Sequence, residues 1–150
     1  LGRAAILACQ TGQPYSTCRL TFNAIPEKLL YITLPSGRRL SYIRPRVEDD
    51  RFSYENNILG GWGRTQAWGA KTLENAVQAI SRYILAVGAL RAAEAGFSIC
   101  AHSHDELVCC EAVGSPLNGE KLRECMIQAE PWALDLPLNA EAYEAERYKK

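Results

Sequence analysis

His104, Asp105 and Glu106 stand together between two β-compatible runs, residues 98–103 and 107–113, so the spacing predicts a hairpin whose tip is made of ionisable side chains. Two adjacent carboxylates on a tight turn repel each other unless something positive binds between them. A hard divalent cation, Mg²⁺ or Mn²⁺, suits that role, because such ions are held by one or two carboxylates together with substrate phosphates. Asp105 and Glu106 are therefore candidate metal ligands and catalytic carboxylates. The plain alternative is that both point into water at a hairpin tip. The run His102-Ser103-His104-Asp105 also has the HxHxD order of zinc sites of metallohydrolases. The chain has only two histidines, so further zinc ligands would have to be cysteines or carboxylates.

The elements that must position this tip follow from periodicity. Leu73, Val77, Ile80, Ile84 and Val87 recur at alternating spacings of four and three, which predicts an amphipathic helix over residues 71–95 with that stripe buried. Gly96 is suited to its C-terminal cap. Lys71, Glu74, Asn75, Gln78 and Arg82 form the opposite, polar stripe, and a stripe of that kind is commonly just the solvated side of a helix. A second helix is expected over residues 120–129, stopped by Pro131, followed by a short strand around 137–140 and a charged end at Lys149 and Lys150.

Upstream, residues 20–22, 29–33 and 39–43 are β-prone, and Pro35-Ser36-Gly37 between the last two predicts a hairpin. Residues 44–68 show no clear period and read as a connection with a short strand near 57–59. Residues 1–18 read as a short helix or loop. The fold class expected is α+β: a small antiparallel sheet, with the Asp105 hairpin at its centre, packed against the long helix. The whole of 1–150 reads as a single partial domain, with 1–19 a poorly defined lead-in.

Composition sets the outer limits. At 150 residues, 47% hydrophobic and 23% charged, the chain can build an ordinary core. Its formal net charge is zero, which excludes the strongly basic footprint of an autonomous nucleic-acid binder. Any such contact must be local, and Arg38, Arg39, Arg44, Arg46 and Arg51 do cluster, offset by Glu48, Asp49 and Asp50. That cluster suits a solvated hairpin rim as well as it suits phosphate. The six cysteines include no CxxC pair and read as reduced core residues. No apolar run reaches membrane-spanning length, and no signal peptide is evident, so the expected compartment is the cytoplasm. The chain opens at Leu1 rather than Met, as expected of a segment cut from something longer or of a chain with a trimmed start.

Four segments in order resemble family A (polymerase I-like) DNA polymerases of the phage type. His104-Asp105-Glu106 between β runs resembles motif C, and residues 71–82 (KTLENAVQAISR) are similar to the helix that precedes it. Leu34-Pro35-Ser36-Gly37-Arg38 resembles an upstream hairpin, and Trp132-Ala133 with Leu136-Pro137-Leu138 resembles the C-terminal segment. The resemblance runs from about residue 20 to the end and implies the C-terminal part of a polymerase palm. It implies two-metal nucleotidyl transfer on primer–template DNA with deoxynucleoside triphosphates.

In that scheme Asp105 is a metal ligand, Glu106 a less essential neighbour, and His104 approaches the primer terminus. Gln78 touches the DNA minor groove, with Asn75 and Lys71 as further DNA contacts. The sequence also departs from the pattern. Glu74 and Ala70 stand where bacterial members carry an amide and a basic residue, with Asn75 and Lys71 one position later; Tyr83 replaces an acid and Ser103 an apolar residue. No stretch before Leu20 resembles motif A or the basic fingers helix, so the isolated chain is expected to be inactive, with an open face through which it could self-associate. A non-catalytic palm-like remnant, serving as a structural or DNA-binding module, is the alternative.

Overall fold

The computed structural model describes residues 1–58 and 60–148, and these fall into two compact units, Leu1–Ile80 and Ser81–Lys150. The fold is α+β. Among the described residues, no helix is long and apolar enough to cross a membrane.

The first unit opens with α1 (Gly2–Thr11) and continues as six strands: β1 (Tyr15–Thr17), β2 (Leu20–Ile25), β3 (Leu29–Thr33), β4 (Arg39–Glu48), β5 (Arg51–Ile58) and β6 (Gly61–Ala67). They pair in sequence order as one antiparallel meander. Tight turns set its register. Cys18 and Arg19, and likewise Asp49 and Asp50, adopt left-handed backbone between paired strands, the conformation of two-residue hairpin loops whose twist matches the strands. The Pro-Ser-Gly hairpin forms as expected: the Gly37 N–H donates to the Leu34 carbonyl at 2.9 Å, with Gly37 at φ 81.

Period-two alternation then divides the sheet. Phe22, Leu30, Ile32, Tyr42, Phe52 and Tyr54 point to one face and are buried with Ala5 and Ala8 of α1. Tyr42 meets Tyr54 edge to face at 4.8 Å between ring centroids, a favoured aromatic geometry. The first half of a long helix, α2 (Gly69–Glu94), joins the same core through Thr72, Ala76, Ala79 and Ile80.

Two expectations do not hold in this unit. Residues 44–68 are not a loose connection but most of β4, β5 and β6; Leu59, in the short strand expected near 57–59, lies outside the described residues. Pro45 sits where the register shifts between Ile43 and Arg46, a bulge being one of the places a strand tolerates proline. Of the stripe expected to be buried on α2, Ile80 packs against the core and Ile84 and Val87 are half-buried, but its first two members are not covered. Leu73 and Val77 are 49% and 51% exposed, whereas Thr72 and Ala76 are buried. Among these four residues the smaller side chains are the ones covered and the larger ones stay at the surface.

The second unit holds the rest of α2, then β7 (Ile99–His102), β8 (Leu107–Cys109) and α3 (Gly119–Ile127). α2 ends as expected at Gly96, φ 98. The Phe97 N–H donates to the Ala92 carbonyl and the Gly96 N–H to that of Ala93, the paired bonds of a Schellman cap, with Phe97 and Ala92 both buried. α3 starts at Asn118, whose side chain accepts from the Lys121 N–H at 3.0 Å. Gly88 sits against α3, since a Cβ there would lie 2.8 Å from Met126 Sδ. Arg91 clamps the far end of α3 by donating to the Gln128 carbonyl and pairing with Glu130.

The hairpin carrying Asp105 is therefore not the centre of the main sheet. β7 and β8 make a separate two-stranded sheet. No strand forms at 137–140, where the backbone runs irregularly. Lys149 and Lys150 lie outside the described residues. All six cysteines are free; Cys9 packs against the core of the first unit, whereas Cys18, Cys100 and Cys110 are exposed and Cys109 and Cys125 half-buried.

Ile32→Ala should cost about 2–5 kcal/mol in urea unfolding, because Ile32 is wholly buried. Leu73→Ala should cost under about 1 kcal/mol. Equal losses would contradict this assignment of the helix face.

Candidate functional site

The turn at residues 103–106 is closed by its own backbone. His102 pairs with Leu107 across the hairpin, and the Ser103 N–H donates to the Glu106 carbonyl at 3.0 Å. That leaves the side chains of residues 104–106 to project from a short, bonded loop. His104 and Asp105 are exposed and Glu106 is half-buried. Just upstream, Cys100 Sγ donates to the Val108 carbonyl at 3.4 Å, a further tie between the two strands.

Glu106 is engaged in a way the sequence did not suggest. The Tyr148 hydroxyl donates to Glu106 Oε1 at 2.6 Å, and this bond, with the carboxylate's charge and a little desolvation, holds the Tyr148 phenol above its ordinary pKa. An aromatic residue in an irregular tail offers no periodic signal by which such a contact could be found. Asp105 is thus the freer of the two carboxylates to meet a ligand.

Asp105 and Glu106 offer a hard cation two neighbouring carboxylates with solvent on the exposed side. That donor set fits an ion that keeps several waters and draws further ligands from phosphates. It does not fit a closed zinc site: among the described residues no three His, Cys, Asp or Glu side chains gather into a possible metal site. Arg82 Nη1 also lies 3.4 Å from His102 Nδ1, placing a guanidinium where a zinc ion bound by that nitrogen would have to sit.

The other candidates lie on the first half of α2, within the first unit. Gln78 is exposed. Lys71 Nζ pairs with Glu74 at 3.1 Å. Asn75 is half-buried and donates from Nδ2 to the Tyr42 hydroxyl at 3.1 Å; Tyr42 itself has its pKa pushed up by burial, an effect the Asn75 bond partly offsets. Lys71, Asn75 and Gln78 thus share one helix, and His104, Asp105 and Glu106 share one turn of the second unit. An open depression of about 660 Å³ beside α3 is lined by Gly119, Arg123, Glu144 and neighbours, and does not include the 104–106 turn. The Glu144 carboxylate already accepts the Gly119 N–H at the start of α3.

With this geometry in hand, similarity to known proteins bears on its meaning. A DNA polymerase of Bacillus phage SP02 is 39% identical to this chain over 155 aligned positions. The alignment takes in 98% of the chain and 24% of that polymerase, so the chain spans about a quarter of the length of the curated relative it matches. No protein-family model and no solved structure matches it. At that coverage the alignment reaches into both units.

Removing the acceptor in Glu106→Ala should bring the Tyr148 pKa down toward the ordinary tyrosine value. NMR titration of labelled tyrosine, with Tyr148→Phe to assign the signal, measures it. An unchanged pKa would show that the tail does not engage the turn.

Proposed function

We propose that the chain is the C-terminal palm segment of a family A DNA polymerase, with residues 104–106 as its motif C. The observation that carries this reading is a carboxylate pair on a closed hairpin turn in a chain 39% identical to part of a phage DNA polymerase. Primer–template DNA and deoxynucleoside triphosphates are the partners it assigns to the parent enzyme.

Asp105, exposed at the tip, would hold Mg²⁺ or Mn²⁺, with Glu106 as a secondary ligand. When bound, the metal supplies Lewis-acid activation of a primer 3′-hydroxyl and neutralises charge on the triphosphate. The protein's share is positioning. His104 borders the primer terminus from the same turn. Gln78 offers an amide to minor-groove acceptors, which test base-pair geometry more than sequence. Lys71 supplies positive charge beside the same groove. Asn75 acts chiefly by fixing Tyr42 against the sheet, with one amide proton left for DNA. Tyr148 holds the Glu106 carboxylate in one orientation and leaves Asp105 accessible.

Nucleotidyl transfer by two metals needs a further aspartate beyond this pair, so the 150-residue chain by itself should not extend a primer. In the parent polymerase, Asp105→Ala should lower incorporation by at least about 10²–10³-fold, while the melting temperature stays put because the side chain is exposed. Glu106→Ala should cost much less. Undiminished primer extension by a correctly folded Asp105→Ala enzyme would refute the metal role.

A further inference from the structure

The zero net charge of the chain conceals a segregation. Residues 1–80 carry ten Lys and Arg against six Asp and Glu, and residues 81–150 carry seven against eleven. The positive excess of the first unit is concentrated on one surface. α1 and the start of α2 cover only one face of the six-stranded sheet, and the register places Tyr31, Arg39, Arg46, Arg64 and Trp62 on the other.

This second face is built to present cations and rings together. Arg39 lies over the Tyr31 ring, 5.5 Å from its centroid, a cation–π contact on this face of the sheet. Glu55 is shared by Arg44 at 2.9 Å and Arg64 at 3.3 Å, and Glu48 lies on the same face opposite Arg51. Arg64 is fixed further by donating to the Arg44 carbonyl and to Ser53 Oγ. Arg39, Arg44, Arg46, Arg51 and Arg64 against Glu48 and Glu55 leave the patch positive. Trp62, opposite Asn57 on the edge strand, is 68% exposed, an arrangement that leaves a large ring open for stacking.

We infer that this open sheet face binds single-stranded nucleic acid, its arginines following the phosphates while the exposed Trp62 ring stacks on an unpaired base. Charge complementarity selects a polyanion. The exposed Trp62 ring selects one with accessible base faces, which a duplex lacks, and base–aromatic stacking on a positive surface is how sequence-tolerant single-strand binding is achieved. The inference deepens the polymerase reading by giving the enzyme a strand-holding surface apart from the carboxylate turn.

The test is fluorescence anisotropy of a labelled 20-mer of oligo-dT with the 150-residue chain, at low salt and with EDTA present. Saturable binding is expected, weakening with salt by roughly 0.7 log unit per log unit for each phosphate contacted, and tighter than to a duplex of equal length. R39E/R46E should weaken it at least about tenfold and flatten the salt slope. W62A should weaken it about tenfold, and W62F should recover part of that loss. Far-UV circular dichroism and melting curves confirm that each variant is folded. Absent binding, equal or tighter binding of duplex, equal competition by polyglutamate, or folded variants that bind like wild type would each overturn the inference. Because neither metal nor nucleotide is present, the result is independent of Asp105, and this inference and the polymerase reading can fail separately.

Discussion

Asp105 and Glu106 are adjacent in sequence and cannot move apart, because the turn that bears them is closed by the Ser103–Glu106 backbone hydrogen bond and by the His102–Leu107 pairing. Holding two carboxylates there costs electrostatic free energy that an isolated two-stranded hairpin, itself marginal in water, is poorly placed to absorb. The unit around it is packed and tied at several points. Phe97 is buried beneath the cap of α2, Gly88 lets α3 close on the helix, and Arg91 ties the end of α3 in place. Tyr148 then lowers the repulsion directly by donating to Glu106.

The two units divide the chemistry as well as the chain. The second carries the acidic turn and a negative balance of charge; the first carries a rigid meander with an excess of arginine. Such a division suits the reaction proposed, in which the cation is held by carboxylates and the nucleic acid by guanidiniums. A strongly basic surface around Asp105 would compete with the metal for the same carboxylates.

Much of this arrangement was legible in the sequence, and the failures have physical causes. The 104–106 turn, the Pro-Ser-Gly hairpin, the extent of α2 and its glycine cap were all readable because each has a local signal. β5 and β6 were not: their open face is polar, Gly61 and Gly63 carry no side chains, and Trp62 is exposed, so alternation is masked. The helix face was misjudged at its first two positions, where apolar periodicity favoured Leu73 and Val77 but the smaller Thr72 and Ala76 are the residues covered. Tyr148 reaches Glu106 from 42 residues away, and no local pattern reports a contact of that range.

The central claim, that the closed turn grips a hard divalent cation, is tested most directly by paramagnetic broadening of backbone amide signals with Mn²⁺. The account predicts that sub-stoichiometric Mn²⁺ broadens the signals of residues 104–106 first, that excess Mg²⁺ restores them, and that the effect is lost in Asp105→Asn. Broadening centred instead on the acidic residues of the tail, such as Glu141 and Glu144, or undiminished in Asp105→Asn, would contradict it.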